Sequence, residues 1–222
     1  MTFCCDAVLF DMDGTLVDSR IACENLLRSW AGRHGLNAEL ISAAVQGRTN
    51  RDIVREFTPQ LPADEEGARL DQEELLYREG NFAVPGALPV LSALPAGSWA
   101  LVTSASGPVA EMRLECSGLP RPAVLISSDD VRQGKPDPEG YLKAAERLGV
   151  KPERCLVIED TPTGLEAARR AGMEVLAITT TFPAAHLNAA ICIADFTCLE
   201  IGQTELAGKP RLCLRVNSGH NG

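Results

Sequence analysis

The stretch Ala7-Val8-Leu9-Phe10-Asp11-Met12-Asp13-Gly14-Thr15 decides the fold. Four apolar residues in a row read as a short strand buried on both faces, the kind found in a parallel sheet covered by helices. The run ends in two carboxylates. Strand side chains alternate, so Asp11 and Asp13 are expected to face the same space at the strand's carboxyl end, where open α/β sheets bind ligands, and Gly14 lets the chain turn there. One carboxylate of such a pair can attack an electrophile or bind a cation while the other carries a proton. An isolated Asp-x-Asp-Gly is more often a polar turn. A calcium loop also opens with Asp-x-Asp, but it requires glycine at its sixth position rather than its fourth, which excludes it here.

Downstream, residues 18–82 show helical periods without a strand-like run. Ser19 is a candidate cap for a helix bearing Ile21, Ala22, Leu26, Leu27 and Trp30. Asn37 starts a second helix with Leu40, Ile41, Ala44 and Val45, and Thr49-Asn50-Arg51-Asp52 has capping-box spacing before a third. A fourth runs from about Ala63 to Tyr77, with Leu70, Leu75 and Leu76 as its expected buried positions. After Val84-Pro85-Gly86 the chain alternates helix and strand, the pattern of a parallel sheet with crossovers. Strands are expected at Trp99–Val102, Ala123–Ile126, Cys155–Ile158 and Glu174–Ile178. The expected organisation is therefore a Rossmann-like α/β core over 1–17 and 83–200, with helices on both faces of a parallel sheet. An all-α cap domain over 18–82 is inserted into it, and a C-terminal tail follows over 201–222. Leu212–Val216 is a candidate edge strand within that tail, and 217–222 reads as a loose terminus.

Composition narrows the function classes. The 222 residues are 45% hydrophobic, enough for a large core, and 21 basic against 30 acidic residues give a formal net charge of −9. That balance offers no general attraction to nucleic acid or anionic lipid, so any phosphate must be held locally. No apolar run reaches the roughly 18 to 20 residues of a membrane span, and the first residues lack a signal-peptide pattern, so the expectation is a cytoplasmic protein. The eight cysteines show no Cys-x-x-Cys spacing, and several sit inside apolar runs, as Cys155 does, where they read as small buried apolar side chains in a reducing compartment.

Three further constellations stand at strand ends. Thr103 and Ser104 offer hydroxyls and amides where a strand meets a helix, a setting suited to phosphate oxygens. Lys135 lies between Gly134 and Pro136, its ammonium available to offset phosphate charge. Glu159-Asp160 ends an apolar strand, and adjacent carboxylates repel unless a cation such as Mg²⁺ offsets them. Taken singly, the hydroxyl pair is a common helix cap and a loop lysine is usually solvated.

Their order is specific. Asp11-Met12-Asp13-Gly14-Thr15, then strand-Thr103-Ser104, then Gly134-Lys135-Pro136, then strand-Glu159-Asp160 resembles the four motifs of the haloacid dehalogenase superfamily, most closely its Mg²⁺-dependent phosphatase branch. The resemblance covers roughly residues 6 to 195. It extends to the loops around Gly134–Leu142 and Glu159–Ala168. It implies that Asp11 is the nucleophile that forms an aspartyl-phosphate and that Asp13 is the general acid and base. It also implies Mg²⁺ held by Asp11, the Asp13 carbonyl and Asp160 with Glu159 in support, phosphate bound by Thr103 or Ser104, and charge neutralised by Lys135. The implied substrates are small phosphomonoesters, most closely sugar or polyol phosphates. The protein is expected to be a monomer or weak dimer with no nucleic acid, membrane or protein partner.

Two alternatives remain, a β-phosphoglucomutase-type mutase and a non-catalytic phosphosugar-binding module. The mutases carry a cap histidine shortly after the Asp-Ser or Asp-Thr pair. Here Asp18-Ser19 is followed by Ile21-Ala22-Cys23-Glu24, and no histidine comes until His34, which favours a hydrolase. Dehalogenase members lack the second aspartate, and phosphonate-cleaving members need a cap lysine, whereas no lysine precedes Lys135. Gly47 and Arg48 lie where related caps place a loop over the substrate, making Arg48 a candidate substrate-binding residue.

Overall fold

The computed structural model describes residues 1–206 and 209–217. Strand β1 (Thr2–Cys5) leads into β2 (Ala7–Phe10), and β3 (Val17–Asp18) follows the first Asp pair. Helices α1 (Arg20–His34), α2 (Ala38–Ala44), α3 (Asn50–Phe57) and α4 (Ala63–Glu74) come before β4 (Phe82–Ala83). Then helix and strand alternate: α5 (Ala87–Ala93), β5 (Trp99–Val102), α6 (Gly107–Ser117), β6 (Val124–Ile126), α7 (Glu139–Leu148) and β7 (Cys155–Glu159). The chain continues through α8 (Pro162–Arg170), β8 (Glu174–Ile178), α9 (Ala184–Leu187), β9 (Cys192–Ile193), β10 (Leu199–Leu206) and β11 (Lys209–Val216).

Six strands form one parallel sheet in the order β6-β5-β2-β7-β8-β9. All four residues of β2 are buried, as its apolar run requires. Val8 and Phe10 pack on one side with Trp99, Leu101, Ile158 and the face of α6, whereas Ala7 and Leu9 pack on the other with Tyr141, Ala144 and Ala167 from α7 and α8. From β2 the chain moves outward through β5 to β6, then returns to β7 and moves the opposite way. The carboxyl end of β2 is therefore the point where strand order reverses, and the crevice between diverging connections opens there.

The helices α1–α4 build a separate core around Leu26, Leu27, Trp30, Ile53, Val54 and Leu70. Strands β3 and β4 pair antiparallel, Val17 opposite Ala83 and Asp18 opposite Phe82, so the chain leaves for this helical insert and returns from it side by side. The sequence showed no strand here because two residues carry no readable period. Three of the expected helix positions differ. Ile21, Leu40 and Leu76 are exposed, since α1 and α2 turn their stripes one position away and α4 ends at Glu74. Ser19 precedes α1 without capping it, because its hydroxyl is committed to Asp13.

The reading of 201–222 as a C-terminal tail is corrected. β10 and β11 form an antiparallel hairpin, and β11 also pairs with β1, Thr2 opposite Arg215 and Cys5 opposite Leu212. Leu212 and Leu214 alternate inward onto the main core, which anchors β11 against it. In this sheet Cys4 stands opposite Cys213 and is exposed rather than buried among apolar groups. The expected loose terminus lies outside the described residues except for Asn217. Among the described residues no helix is long and apolar enough to cross a membrane.

Candidate active site

Asp11 is the first residue past β2, and its amide donates to the Ile158 carbonyl of β7, which continues the sheet ladder for one residue. The chain then turns tightly at Gly14, whose φ of +82° suits glycine. A Cβ there would sit 2.0 Å from Asp160 Oδ2, so close approach as well as conformation demands glycine. Thr15 Oγ1 donates to Asp160 Oδ1 at 3.2 Å. The loops after β2 and β7 are thereby pressed together.

Lys135 enters from the loop between β6 and α7. Its Nζ donates to Asp11 Oδ1 and, at 2.6 Å, to Glu159 Oε1. Burial acts to discharge this ammonium, but the carboxylates of Asp11 and Glu159 outweigh it and hold the group protonated well above its ordinary range. Asp11 behaves oppositely. Burial pushes its pKa up to about 7 against the pull of Lys135, with Glu159 and Asp13 adding to the rise. Burial also raises Asp160 well above the ordinary carboxylate range, reinforced by Glu159 and Asp11.

The two acidic residues at the end of β7 differ in what they leave open. Glu159 is saturated: Oε1 accepts from Lys135 and from the Tyr141 hydroxyl at 3.3 Å, and Oε2 accepts from the Thr161 amide at 2.7 Å and its hydroxyl at 2.9 Å. Asp160 Oδ2 is buried with no donor. Oxygens of Asp11, Glu159 and Asp160 all lie within 4.8 Å of one another. Three buried carboxylates against one lysine, with an orphaned oxygen among them, form an all-oxygen donor set suited to a hard divalent cation.

Asp13 lies on the insert side of Asp11. Its Oδ1 accepts from Ser19 Oγ at 2.7 Å and its Oδ2 from Arg113 Nη1 at 2.8 Å. A cavity of about 640 Å³, its open mouth included, is lined by Asp11, Asp13, Arg48, Ser104, Glu74 and Arg113, among others. Ser104 and Ala105 border it, whereas the Thr103 hydroxyl accepts from the Ala105 amide at 3.0 Å and is turned into its own loop. Ser104 Oγ donates to the Gly47 carbonyl of the insert at 2.7 Å. Arg48 borders the cavity while its Nη1 pairs with Glu56 Oε2 at 2.5 Å.

Arg113 and Glu74 escaped the sequence reading. Both sit in phase with apolar stripes, Arg113 following Val109 and Ala110 on α6, and Glu74 following Leu70 on α4. A charge at a core-phase position was the available signal.

Comparison with known proteins agrees with this geometry. The chain is 41% identical over 189 residues to hexitol phosphatase A of Escherichia coli (strain K12), covering 83% of this chain and 88% of that protein. It is 34% identical over 189 residues to glycerol-1-phosphate phosphohydrolase 2 of Saccharomyces cerevisiae (strain ATCC 204508 / S288c), covering 80% and 76% respectively. The fold superposes on a crystal structure of a hydrolase from Pseudomonas syringae with a TM-score of 0.75 at 24% identity, covering 86% of this chain and 94% of that one. The family model of the haloacid dehalogenase-like hydrolases matches residues 5–172, a span that runs from the strand before Asp11 to beyond Asp160. The chain belongs to the haloacid dehalogenase-like hydrolase family.

Proposed function

We propose that this protein is a phosphatase of small phosphomonoesters, most closely hexitol and other sugar or polyol phosphates, working through an aspartyl-phosphate on Asp11. The observation that carries the reading is the meeting of Asp11 and Asp160, at the carboxyl ends of the adjacent strands β2 and β7, with Lys135 from the loop after β6, and with a buried carboxylate oxygen left without a donor. In this reading an Asp11 carboxylate oxygen bonds to phosphorus as the bond from phosphorus to the ester oxygen breaks. Asp13 gives its proton to the departing alkoxide. Asp13 then takes a proton from water as that water attacks phosphorus, and release of phosphate returns Asp11. Lys135 keeps Asp11 oriented and offsets negative charge beside it, and Ser104, rather than Thr103, borders the space where phosphate oxygens would lie. Asp11, the Asp13 backbone carbonyl and Asp160 would hold Mg²⁺, with Glu159 supporting through its hold on Lys135 and Thr161. Bound there, Mg²⁺ would supply charge neutralisation for the transferring phosphoryl group.

All of these groups are needed. Phosphate-monoester hydrolysis calls for enhancements up to about 10²¹, whereas one acid–base group supplies about 10² to 10⁴. Positioning and electrostatics must supply most of the rest. The helical insert over 18–82 acts as a cap that closes the cavity. The insert lines the cavity with Gln46, Arg48 and Asn50 beside the apolar Leu26, Leu27, Val45 and Ile53, so the polar three are its candidates for meeting the hydroxyls of a leaving group such as the hexitol and glycerol phosphates named for two relatives.

The test is phosphate release from a panel of hexitol, hexose, glycerol and nucleotide monophosphates, with and without Mg²⁺, in wild type and Asp11→Asn. Metal-dependent release concentrated on polyol or sugar phosphates and lost in the variant is expected. No release from any substrate, or release that survives Asp11→Asn, would overturn the proposal.

A further inference from the structure

The link between the insert and Asp13 has a particular construction. Arg113 belongs to the sheet-bearing core, on α6, yet its side chain is only 2% exposed and its guanidinium meets three separate parts of the chain. Nη1 donates to Asp13 Oδ2 at 2.8 Å, Nη2 donates to Glu74 Oε1 at 2.5 Å, and Nη2 also reaches Cys23 Sγ at 3.0 Å. Glu74 ends α4 and Cys23 lies on α1, both in the insert. Glu74 is fixed in turn by Asn50 of α3, whose Nδ2 donates to Glu74 Oε2 at 3.0 Å and to Asp71 Oδ1 at 2.8 Å. A continuous polar path therefore runs from the insert's α3–α4 pair through Glu74 and Arg113 to Asp13. Arg113 Nε is buried with no partner, so the side chain is held only through its two terminal nitrogens.

The chemistry of the group matters. A guanidinium is planar and rigid, so its two ends cannot reorient independently, unlike the point charge of a lysine. Two carboxylates share this one cation. If the insert moved away, Glu74 would leave with it, and the plane that fixes Asp13 would lose its second anchor. Among the described residues the only other side-chain donor to Asp13 is Ser19, at the start of the insert, so one oxygen of this carboxylate meets the insert directly and the other meets an arginine whose second anchor lies there.

We propose that Arg113 is a positioning residue for Asp13, and that Glu74 makes this positioning conditional on the insert being seated against the core. The inference rests on the phosphatase reading with Asp13 as proton donor and acceptor. It ties proton transfer to closure: with the insert away, Asp13 is not held for catalysis, and a phosphoryl group on Asp11 is shielded from premature attack by water.

The test is a set of steady-state measurements on hexitol phosphate and p-nitrophenyl phosphate with Mg²⁺. Arg113→Met is expected to lower kcat for the hexitol ester about 10² to 10³-fold, the range for losing a well-placed acid–base group, while KM moves less than about threefold. In single turnovers, release of p-nitrophenol is expected to suffer at least tenfold less than release of hexitol, because the aryl leaving group departs without needing a proton. In the Asp13→Asn background Arg113→Met is expected to cost less than about twofold further, since a residue acting only through Asp13 has nothing left to position. Glu74→Gln, which keeps an acceptor but removes the charge, is expected to lower kcat for the hexitol ester about tenfold without raising KM.

Should Arg113→Met fail to fold, Arg113→Lys carries the test. It retains the charge but not the fork, and a folded variant with depressed kcat on the hexitol ester, whose single-turnover release of p-nitrophenol suffers at least tenfold less than its release of hexitol, supports the inference. Normal kcat in folded Arg113→Lys overturns it. A KM increase at constant kcat in Arg113→Met, or an equal loss in the wild-type and Asp13→Asn backgrounds, also overturns it by placing Arg113 on the substrate. A wild type that releases no phosphate overturns the phosphatase reading beneath it, whereas an active wild type indifferent to both Arg113 and Glu74 overturns this inference alone.

Discussion

Replacing Gly164 by alanine sets two effects of opposite sign against each other. Gly164 lies in the first turn of α8, and helix propensity alone favours alanine there by up to about 1 kcal/mol. A Cβ at this position would stand 1.6 Å from Glu159 Oε1 and 2.0 Å from its Cδ. Glu159 is fully buried, with its carboxylate fixed by Lys135 at 2.6 Å and the Thr161 amide at 2.7 Å. It cannot yield without giving up such bonds, each worth about 1.5 to 3 kcal/mol to a charged group. Losing two costs about 3 to 6 kcal/mol, so after the propensity gain the variant is destabilised by about 2 to 5 kcal/mol. For a domain of this size that lowers Tm by roughly 4 to 20 °C. The assay is urea unfolding of the metal-free protein followed by tryptophan fluorescence, with phosphate release measured in parallel. Gly32→Ala is the control, because a Cβ there meets nothing within 4 Å, and that helix-interior change should gain up to about 1 kcal/mol. A Gly164→Ala protein as stable as wild type and fully active would refute the reasoning.

Other expectations follow from the same site. Lys135→Met leaves Asp11, Glu159 and Asp160 without their cation, so phosphate release should fall by at least about 10³-fold and Mg²⁺ should raise Tm more than in wild type, which titration by thermal melts checks. In the metal-free protein burial pushes Asp11 up to about 7 from an ordinary 3.8, so the folded state binds more protons than the unfolded one between these values. Stability should therefore fall as pH rises from about 4 to about 7, with Asp160 acting in the same direction, and the Tm gain from Mg²⁺ should be larger at pH 8 than at pH 5; equal gains would count against it. Arg48→Ala is expected to raise KM for hexitol phosphate several-fold while leaving p-nitrophenyl phosphate nearly unaffected, and equal effects on both would remove Arg48 from substrate recognition.

The strand ends were legible because each apolar run stops abruptly at a polar pair: Phe10 at Asp11, Val102 at Thr103, Ile158 at Glu159. A strand covered on both faces tolerates polar groups only where it emerges, so those junctions mark the ligand edge of the sheet. The choice between Thr103 and Ser104 was not legible, since it depends on how the chain turns after β5. Arg113 and Glu74 stayed hidden because a charge on an apolar stripe reads as an interruption until its partner, 39 residues distant in sequence, is found beside it. The β10–β11 hairpin was only half legible. Leu212, Leu214 and Val216 alternate, but Glu200, Gln203 and Thr204 give β10 a polar surface strand's composition.

The central position of β2 bears on how the chain reaches this arrangement during synthesis. Its neighbours are β5, beginning at Trp99, and β7, ending at Glu159, so the first apolar strand of the sheet finds neither partner until much of the chain exists. The insert, whose core lies wholly within residues 26–77, can form earlier from nearby contacts. A nascent chain of about 90 residues would thus carry a folded helical unit beside an unpaired strand of Ala7, Val8, Leu9 and Phe10, an edge open to association with other chains. The residues that place Asp11 at the heart of the sheet also make its strand wait for partners that begin at Trp99, while β1 waits longer still, for β11.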